Sequence, residues 1–433
     1  MIGGLAISGG RPAVPHEGHR RWPDVRPEDR EAVLAVLDRG VLCGPNAPEI
    51  TALQEEWADY LGVRFCLALN TGTAALHCAA AAAGLRPGDE VIVPAFTFVA
   101  SAMAMAHQGC VPVFCDVDPR TYDLDRERIE ERITERTRAI LPVHVHGLPA
   151  DMDEIQAIAE RHGLAVIEDA AQSHGALYKG RKTGTLGLCA AFSLNATKNL
   201  SGGEGGLFVT DDEEAFVAAR RLSVFGEDVP PLEPGEFRSY WSHAIGWNYR
   251  SQELSSAFAR SQLRRLDGYN ATAQRNGEIL TAGLSKLHGV TPPHVPDDRT
   301  HVYHKYRVRL EPAELGFDGP ATELRDRVLQ ALRAEGVEAV VWQTLPLPAY
   351  PAFRGELAPW HGRREGERLR AWDPAEFPEA SRLLDESLVL GSEGMPLFVQ
   401  EASLMERYVE ACEKVLAHLE AVLAVPYEPV RVV

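Results

Sequence analysis

"FCLALNTGTAALHCAAAAAGLRPGDEVIVP", residues 65–94, holds a short apolar run, an alanine-rich segment and a second apolar run. Neither run alternates apolar with polar residues, so each is expected to be a strand covered on both faces. The segment between them, closed by Gly84, is expected to be the covering helix. Strand, crossing helix and strand form the unit of a parallel sheet. The pattern continues with "TFVASAMAMAHQG" as a helix, "VPVFCDV" as a strand and "DRERIEERI" as a polar-faced helix. "TRAILPVHV" then reads as a strand, "DMDEIQAIAERHG" as a helix, and "LAVIEDAA", "LCAAFSLN" and "GLFVT" as strands. The expected class is α/β, with a mostly parallel sheet.

Residues 1–25, rich in Gly, Pro, Arg and His, read as an irregular arm. "RPEDREAVLAVLDRG" and "APEITALQEEWADYLG" are expected helices, stopped at Gly40 and Gly62. Past residue 211 the alternation fades. "GEDVPPLEPGEFRSY" reads as a long loop, and "SQELSSAFARSQLRRLDGYNATAQRNGEILTAGLSKLHG" as one long helical pattern leading into a smaller α/β region. The expected division is an arm over 1–25, a large domain over 26–262, and a small C-terminal domain over 263–433 that includes the linking helix.

The 433 residues carry 44 basic and 62 acidic side chains, a formal charge of −18, which argues against a nucleic-acid partner. The seven cysteines form no CxxC pair and mostly lie in apolar runs, as expected in a reducing compartment. No signal peptide and no span for a membrane stand out, so the expected location is the cytoplasm.

In an open α/β sheet, ligands lie beyond the carboxyl ends of the strands. Thr71-Gly72-Thr73 follows the first strand and opens a helix, where free amides favour a phosphate or where Thr71 is a plain cap. Phe96 and Phe98 follow the second strand, as faces of a ring-binding slot or as core. His144 and His146 follow "LPV", two apart and able to share a strand face, with no partners at metal spacing; no metal is expected. Glu168 and Asp169 end the strand "LAVI", with Gln172 and His174 just beyond. A buried carboxylate there can hold a ring nitrogen protonated. Lys198 lies between two strands and beside glycines that read as room for backbone next to a bound cofactor. A lysine so placed can form a Schiff base with an aldehyde. An anion site, an aromatic slot, a carboxylate and a lysine are what pyridoxal phosphate requires.

The chain closely resembles the DegT/DnrJ/EryC1/StrS family of sugar and aminocyclitol aminotransferases. The motifs that carry this are "NTGTAALH", "PGDEVIVPAFTFVASA", "DVDPRTYDLD", "LPVHVHGLPADMDEI", "VIEDAAQSHGALYKGRKTGTLG", "SLNATKNLSGGEGG" and "GWNYRSQELSSA". The resemblance implies the type I fold of pyridoxal-phosphate enzymes, with pyridoxamine phosphate as the alternate cofactor form. It implies Lys198 as the Schiff-base and proton-moving group, Asp169 against the pyridine nitrogen, and Gln172 and Phe98 about the ring. It implies phosphate contacts from Gly72, Thr73 and Ser193. Asn248, with Arg250 as a second candidate, would be lent across a homodimer interface to the neighbouring site. The implied reaction moves an amino group from glutamate or glutamine to a keto-sugar or keto-cyclitol in secondary metabolism. Alternatives are a 3-amino-5-hydroxybenzoate synthase-like reaction and a non-catalytic regulatory homologue. Sugar dehydratases of this kind carry histidine at the lysine position, so Lys198 favours transamination. Leu194-Asn195 departs from the Phe-His or Phe-Phe pair of many members. The substrate candidates are His144, Asn195, His304, Arg307, Trp342 and Gln343.

Overall fold

The computed structural model describes residues 4–15, 18–44, 46–229, 240–354 and 372–430. The parallel reading centres on β1 (Phe65–Leu69), β2 (Glu90–Pro94), β3 (Val111–Cys115), β4 (Thr137–Ile140) and β5 (Ala165–Asp169). A short hairpin, β6 (Leu177–Tyr178) and β7 (Arg181–Lys182), precedes β8 (Cys189–Ser193) and β9 (Gly206–Thr210). All but the hairpin form one seven-stranded sheet in the order β1-β9-β8-β5-β4-β2-β3. Only β9 runs against the rest, antiparallel to both neighbours, so the other six strands end on one edge.

Two helices, α1 (Pro27–Arg39) and α2 (Pro48–Leu61), precede β1. Alternation along each strand feeds two cores. Leu67, Leu69 and Phe208 join one, with Ala79 of α3 (Gly72–Ala82), Met105 of α4 (Ala100–His107) and Ile155 of α5 (Met152–His162). Cys66, Ala68, Leu207 and Val209 join the other, with Trp57 of the helix Pro48–Leu61 and Ala259 of the helix Glu253–Leu263. Alanine is the strongest helix former and the smallest side chain to bury, and Ala75, Ala79 and Ala80 of α3 are fully buried.

"DRERIEERI" is not a helix but two 3-10 turns, Arg126–Arg128 and Glu130–Arg132. Asp125 accepts from Glu127 N, while Arg128 pairs with Asp116 and Arg132 with Glu376. Tertiary partners thus override the helical pattern. The long pattern after residue 250 is two helices, Glu253–Leu263 and Leu266–Leu284, broken where Arg265 pairs with Asp29. The loop expected over 226–240 lies, at 230–239, outside the described residues.

A second sheet is wholly antiparallel: β10 (Val290–Thr291), β11 (Tyr306–Leu310), β12 (Ala339–Val340) and β13 (Ser387–Leu390), in the order β10-β11-β13-β12. Its core includes Leu324 and Val328 of the helix Ala321–Ala334 and Tyr408 of Ala402–Ala417. Leu5, Val14 and Trp22 of the arm are buried in that same core, with Trp22 edge-on to Tyr269 and Phe398. Ala6 N and Ala13 N donate to the Glu335 carboxylate at 2.8 and 2.9 Å. Conversely, Trp372, Phe377 and Leu383 pack into the first core, so packing does not follow chain order.

Candidate active site

The shared strand edge opens into a cavity of about 420 Å³. It is lined from the first sheet by Thr71, Gly72, Thr73, Phe98, Ser101, Asp169, Gln172, Ser193, Asn195 and Lys198, and from the second by His304, Lys305, Trp342 and Glu393.

One end is an anion cradle. Thr71 caps α3, its Oγ1 accepting from Ala74 N at 3.0 Å. The amides of Gly72 and Thr73, first in the helix, have no intrahelical acceptor and point their positive ends outward. Ser193, the last residue of β8, closes the cradle: a Cβ on Gly72 would lie 2.7 Å from Ser193 Cβ. The later glycines serve packing. A Cβ on Gly206 would lie 2.2 Å from Thr71 O, and Gly202 and Gly205 leave room for the Leu194 side chain. Of the glycines in "SGGEGG", none lines the cavity, and Gly206 reaches the cradle only through the Thr71 cap.

Asp169 ends β5 and is buried. Ser101 Oγ donates to its Oδ2 at 2.6 Å, and Ala171 N to its Oδ1 at 3.1 Å. Burial pushes its pKa up, against these hydrogen bonds and the charge of Lys198. Alternation sends Glu168 the other way, where it accepts from the amides of Gly184, Leu186 and Gly187, all at 2.7 Å. Of the acidic pair, one member faces the cavity and the other pins a loop.

Lys198 sits on the β8–β9 connection. Its amide donates to Asn195 O, Asn195 Oδ1 accepts from Thr197 N and Oγ1, and Asn195 Nδ2 donates to Glu204 at 2.8 Å. This turn holds the lysine over the cavity. Burial lowers its pKa to about 8, Lys305 pushes the same way, and Asp169 and Glu393 oppose. About a tenth of it is then free amine at pH 7, enough for a nucleophile or a general base.

Phe98 stands at the mouth, 52% exposed, whereas Phe96 is buried beside the His146 and Trp342 rings. Gln172 is buried, its Oε1 accepting from His146 N at 2.8 Å. His304 is buried, its Nδ1 has no partner among the described residues, and burial holds its pKa well below the usual histidine range. These residues fit a ring bearing a phosphate, an aldehyde and a basic nitrogen: amides and a hydroxyl for the phosphate, a lysine for the aldehyde and a buried carboxylate for the nitrogen, all on one cavity.

Three substrate candidates do not line the cavity. His144 and His146 do not share a strand face, because β4 stops at Ile140 and His146 sits at φ 58° in a tight turn. Ala150 N donates to His144 Nδ1, so the proton lies on Nε2 and is given to Glu168 at 2.9 Å. Arg307 is buried and spent on His146 Nε2, Ser387 Oγ and Trp342 O, at 3.0, 2.6 and 2.9 Å. Gln343 donates to Thr97 O at 2.6 Å and clamps a turn. His174 packs against Trp57 and Phe192. Asn248 and Arg250 lie outside this chain's cavity, joined by Arg250 Nε donating to Asn248 Oδ1 at 3.0 Å. Sequence reasoning passed over Lys305 and Glu393. The signal for Lys305 was present in "YHKYRVRL", where 305 and 307 share a face.

Residues 23–361 match the family model described as the DegT/DnrJ/EryC1/StrS aminotransferase family. The GDP-perosamine synthase of Caulobacter vibrioides is 42% identical, over 73% of this chain and 82% of the relative. The L-glutamine:scyllo-inosose aminotransferase of Streptomyces griseus is 37% identical, over 98% of this chain and 100% of the relative. Among solved structures, S. venezuelae DesV in complex with a ketimine intermediate superposes with a TM-score of 0.76 at 33% identity, covering 90% of this chain and 94% of that one.

Proposed function

The chain belongs to the DegT/DnrJ/EryC1/StrS aminotransferase family and is a pyridoxal-phosphate-dependent aminotransferase; from that premise we propose that it moves the amino group of glutamine or glutamate to a keto-cyclitol or keto-sugar. The observation that carries this reading is Lys198 and Asp169 on one cavity, with the cradle of Gly72, Thr73 and Ser193 at its end. A keto-cyclitol is favoured, because similarity to the scyllo-inosose aminotransferase runs over both chains nearly end to end.

Gly72, Thr73 and Ser193 would hold the cofactor phosphate, Asp169 would keep the ring nitrogen protonated, and Gln172 and Phe98 would bound the ring. When bound, the cofactor supplies an electron sink for the carbon that loses its proton. Lys198 Nζ, as free amine, takes that proton and returns it. Ser101 and Ala171 N orient Asp169 for this duty. Trp342 and Phe98 also line the cavity.

The working form is a homodimer. Asn248 and Arg250 sit in a surface stretch with Tyr240, Trp241, Ile245 and Trp247, the large side chains from 50 to 92% exposed. An apolar surface of that kind on a chain of net charge −18 suits burial against a second copy. The division into an arm over 1–25, a cofactor domain over 26–262 and a smaller domain over 263–433 is part of the same reading. So are residence in the cytoplasm and a role in secondary metabolism, as in aminoglycoside-type biosynthesis.

The test is a substrate panel. Purified holoenzyme is assayed for amino transfer from glutamine and glutamate to keto-cyclitols of the scyllo-inosose type and to nucleotide-linked keto-sugars. Highest kcat/KM with a keto-cyclitol is expected. Preference for a nucleotide keto-sugar removes the cyclitol assignment, and dehydration without amino transfer removes the transaminase reading.

A further inference from the structure

A transaminase of this kind faces a recognition problem. One cavity must take, in turn, an amino donor with a carboxylate and an acceptor with none. A fixed buried cation with a permanent partner cannot receive the donor carboxylate, and one with no partner is strongly disfavoured whenever the acceptor is bound.

Among the described residues lining the cavity, the lysines are Lys198 and Lys305, and no arginine lines it. Lys198 is taken by the chemistry. Arg307, one of the substrate candidates from the sequence, has donors on all three nitrogens engaged. That leaves Lys305. Its side chain is 6% exposed, and its Nζ lies 5.3 Å from the Trp342 ring centre, so its position is set by packing. Its ion-pair partner is Glu393, at 3.6 Å, longer than a charge-assisted hydrogen bond. Glu393 is 57% exposed and sits on the short connection after β13, in "GSEGMP". One partner is therefore fixed inside the site, and the other is loosely held and close to solvent.

We infer that Lys305 receives the carboxylate of the amino donor, and that Glu393 is its exchangeable counter-ion, returning to it while an acceptor without a carboxylate occupies the cavity. This rests on the transaminase reading above. Leaving the pocket costs Glu393 little, since its carboxylate is already half hydrated. The donor carboxylate then makes the shorter contact that Glu393 does not. Burial lowers the Lys305 pKa to about 8 while Glu393 raises it, in keeping with an ammonium that is only partly compensated.

The test separates donor from acceptor on the holoenzyme. Loss of a hydrogen bond to a charged group predicts that Lys305→Met raises the donor KM by about 10- to 100-fold, with the acceptor KM within about threefold. Calorimetry with glutarate, which has carboxylates and no amine to react, should show binding to the wild type and to Lys305→Arg but not to Lys305→Met. Glu393→Gln, a surface change that leaves folding intact, should tighten glutarate binding by removing the competitor. Equal glutarate affinity in wild type and Lys305→Met overturns the inference. So does a parallel rise of donor and acceptor KM, or a Glu393→Gln enzyme with unchanged glutarate affinity. If the wild-type holoenzyme transfers no amino group from glutamine or glutamate to any acceptor, the transaminase reading itself fails, a result distinct from any of these.

Discussion

The two walls of the cavity are built differently. On the first sheet, Asp169 and Ser193 end strands, Thr71 caps a helix, and Lys198 sits on a turn of four hydrogen bonds. Asp169 has both oxygens engaged. On the second, His304 has a nitrogen with no partner among the described residues, and Lys305 holds Glu393 only at 3.6 Å. The first wall is pre-organised, which is where electrostatic catalysis gains most, because no group has to reorient during the reaction. The second wall keeps polar capacity in reserve, as recognition of two unlike substrates requires.

Substitutions on the first wall should therefore act on kcat, and those on the second on KM. The largest effect is expected from Lys198→Ala, which removes nucleophile and base together. Amino transfer should fall by more than about 10³-fold, with loss of the visible absorbance of the lysine-bound cofactor. Near-normal turnover would erase the distinction between the walls. Asp169→Asn keeps the shape and removes the charge, and a drop in kcat of about 10²- to 10³-fold is expected with the melting temperature nearly unchanged. A change confined to KM would place Asp169 with the second wall.

The third effect is one of pH. The Lys198 pKa is lowered to about 8, so its free amine accumulates as pH rises through 8. Cofactor loading onto apo-protein, followed by absorbance, should speed up about tenfold from pH 7 to 9 and then level off. A rise that continues toward pH 10.5 would mean that the wall does not tune its lysine. The smallest effect is expected from Asn195→Ala. Asn195 touches the cavity, but its side chain is committed to Thr197 and Glu204. A loss of about threefold in kcat is expected, with unchanged selectivity between acceptors. A switch in acceptor preference would make this turn, and not the second wall, the seat of specificity.

The same contrast decides what was legible. Asp169, Lys198 and Thr71–Thr73 were found because a parallel sheet gathers its strand ends on one edge, whatever the loops do. Glu168 and Asp169 were not separable from composition alone, since only the pleat sends one to the cavity and the other to Gly184, Leu186 and Gly187. Arg307 was named from the sequence and Lys305, two residues before it, was not. The spending of Arg307 on His146, Ser387 and Trp342 depends on contacts 35 to 161 residues away in sequence. His144 was drawn into the site by its place after a strand, yet the strand had already ended at Ile140.

By itself, the sequence determined the α/β class, the strand edge and the lysine–carboxylate pair of the candidate site, because local period and strand-end position carry that information. Tertiary structure decided which buried cations stayed free. A side chain's remaining hydrogen-bonding capacity depends on every partner that folding brings to it, and for Lys305 and Arg307, two residues apart on one face, folding brought different ones.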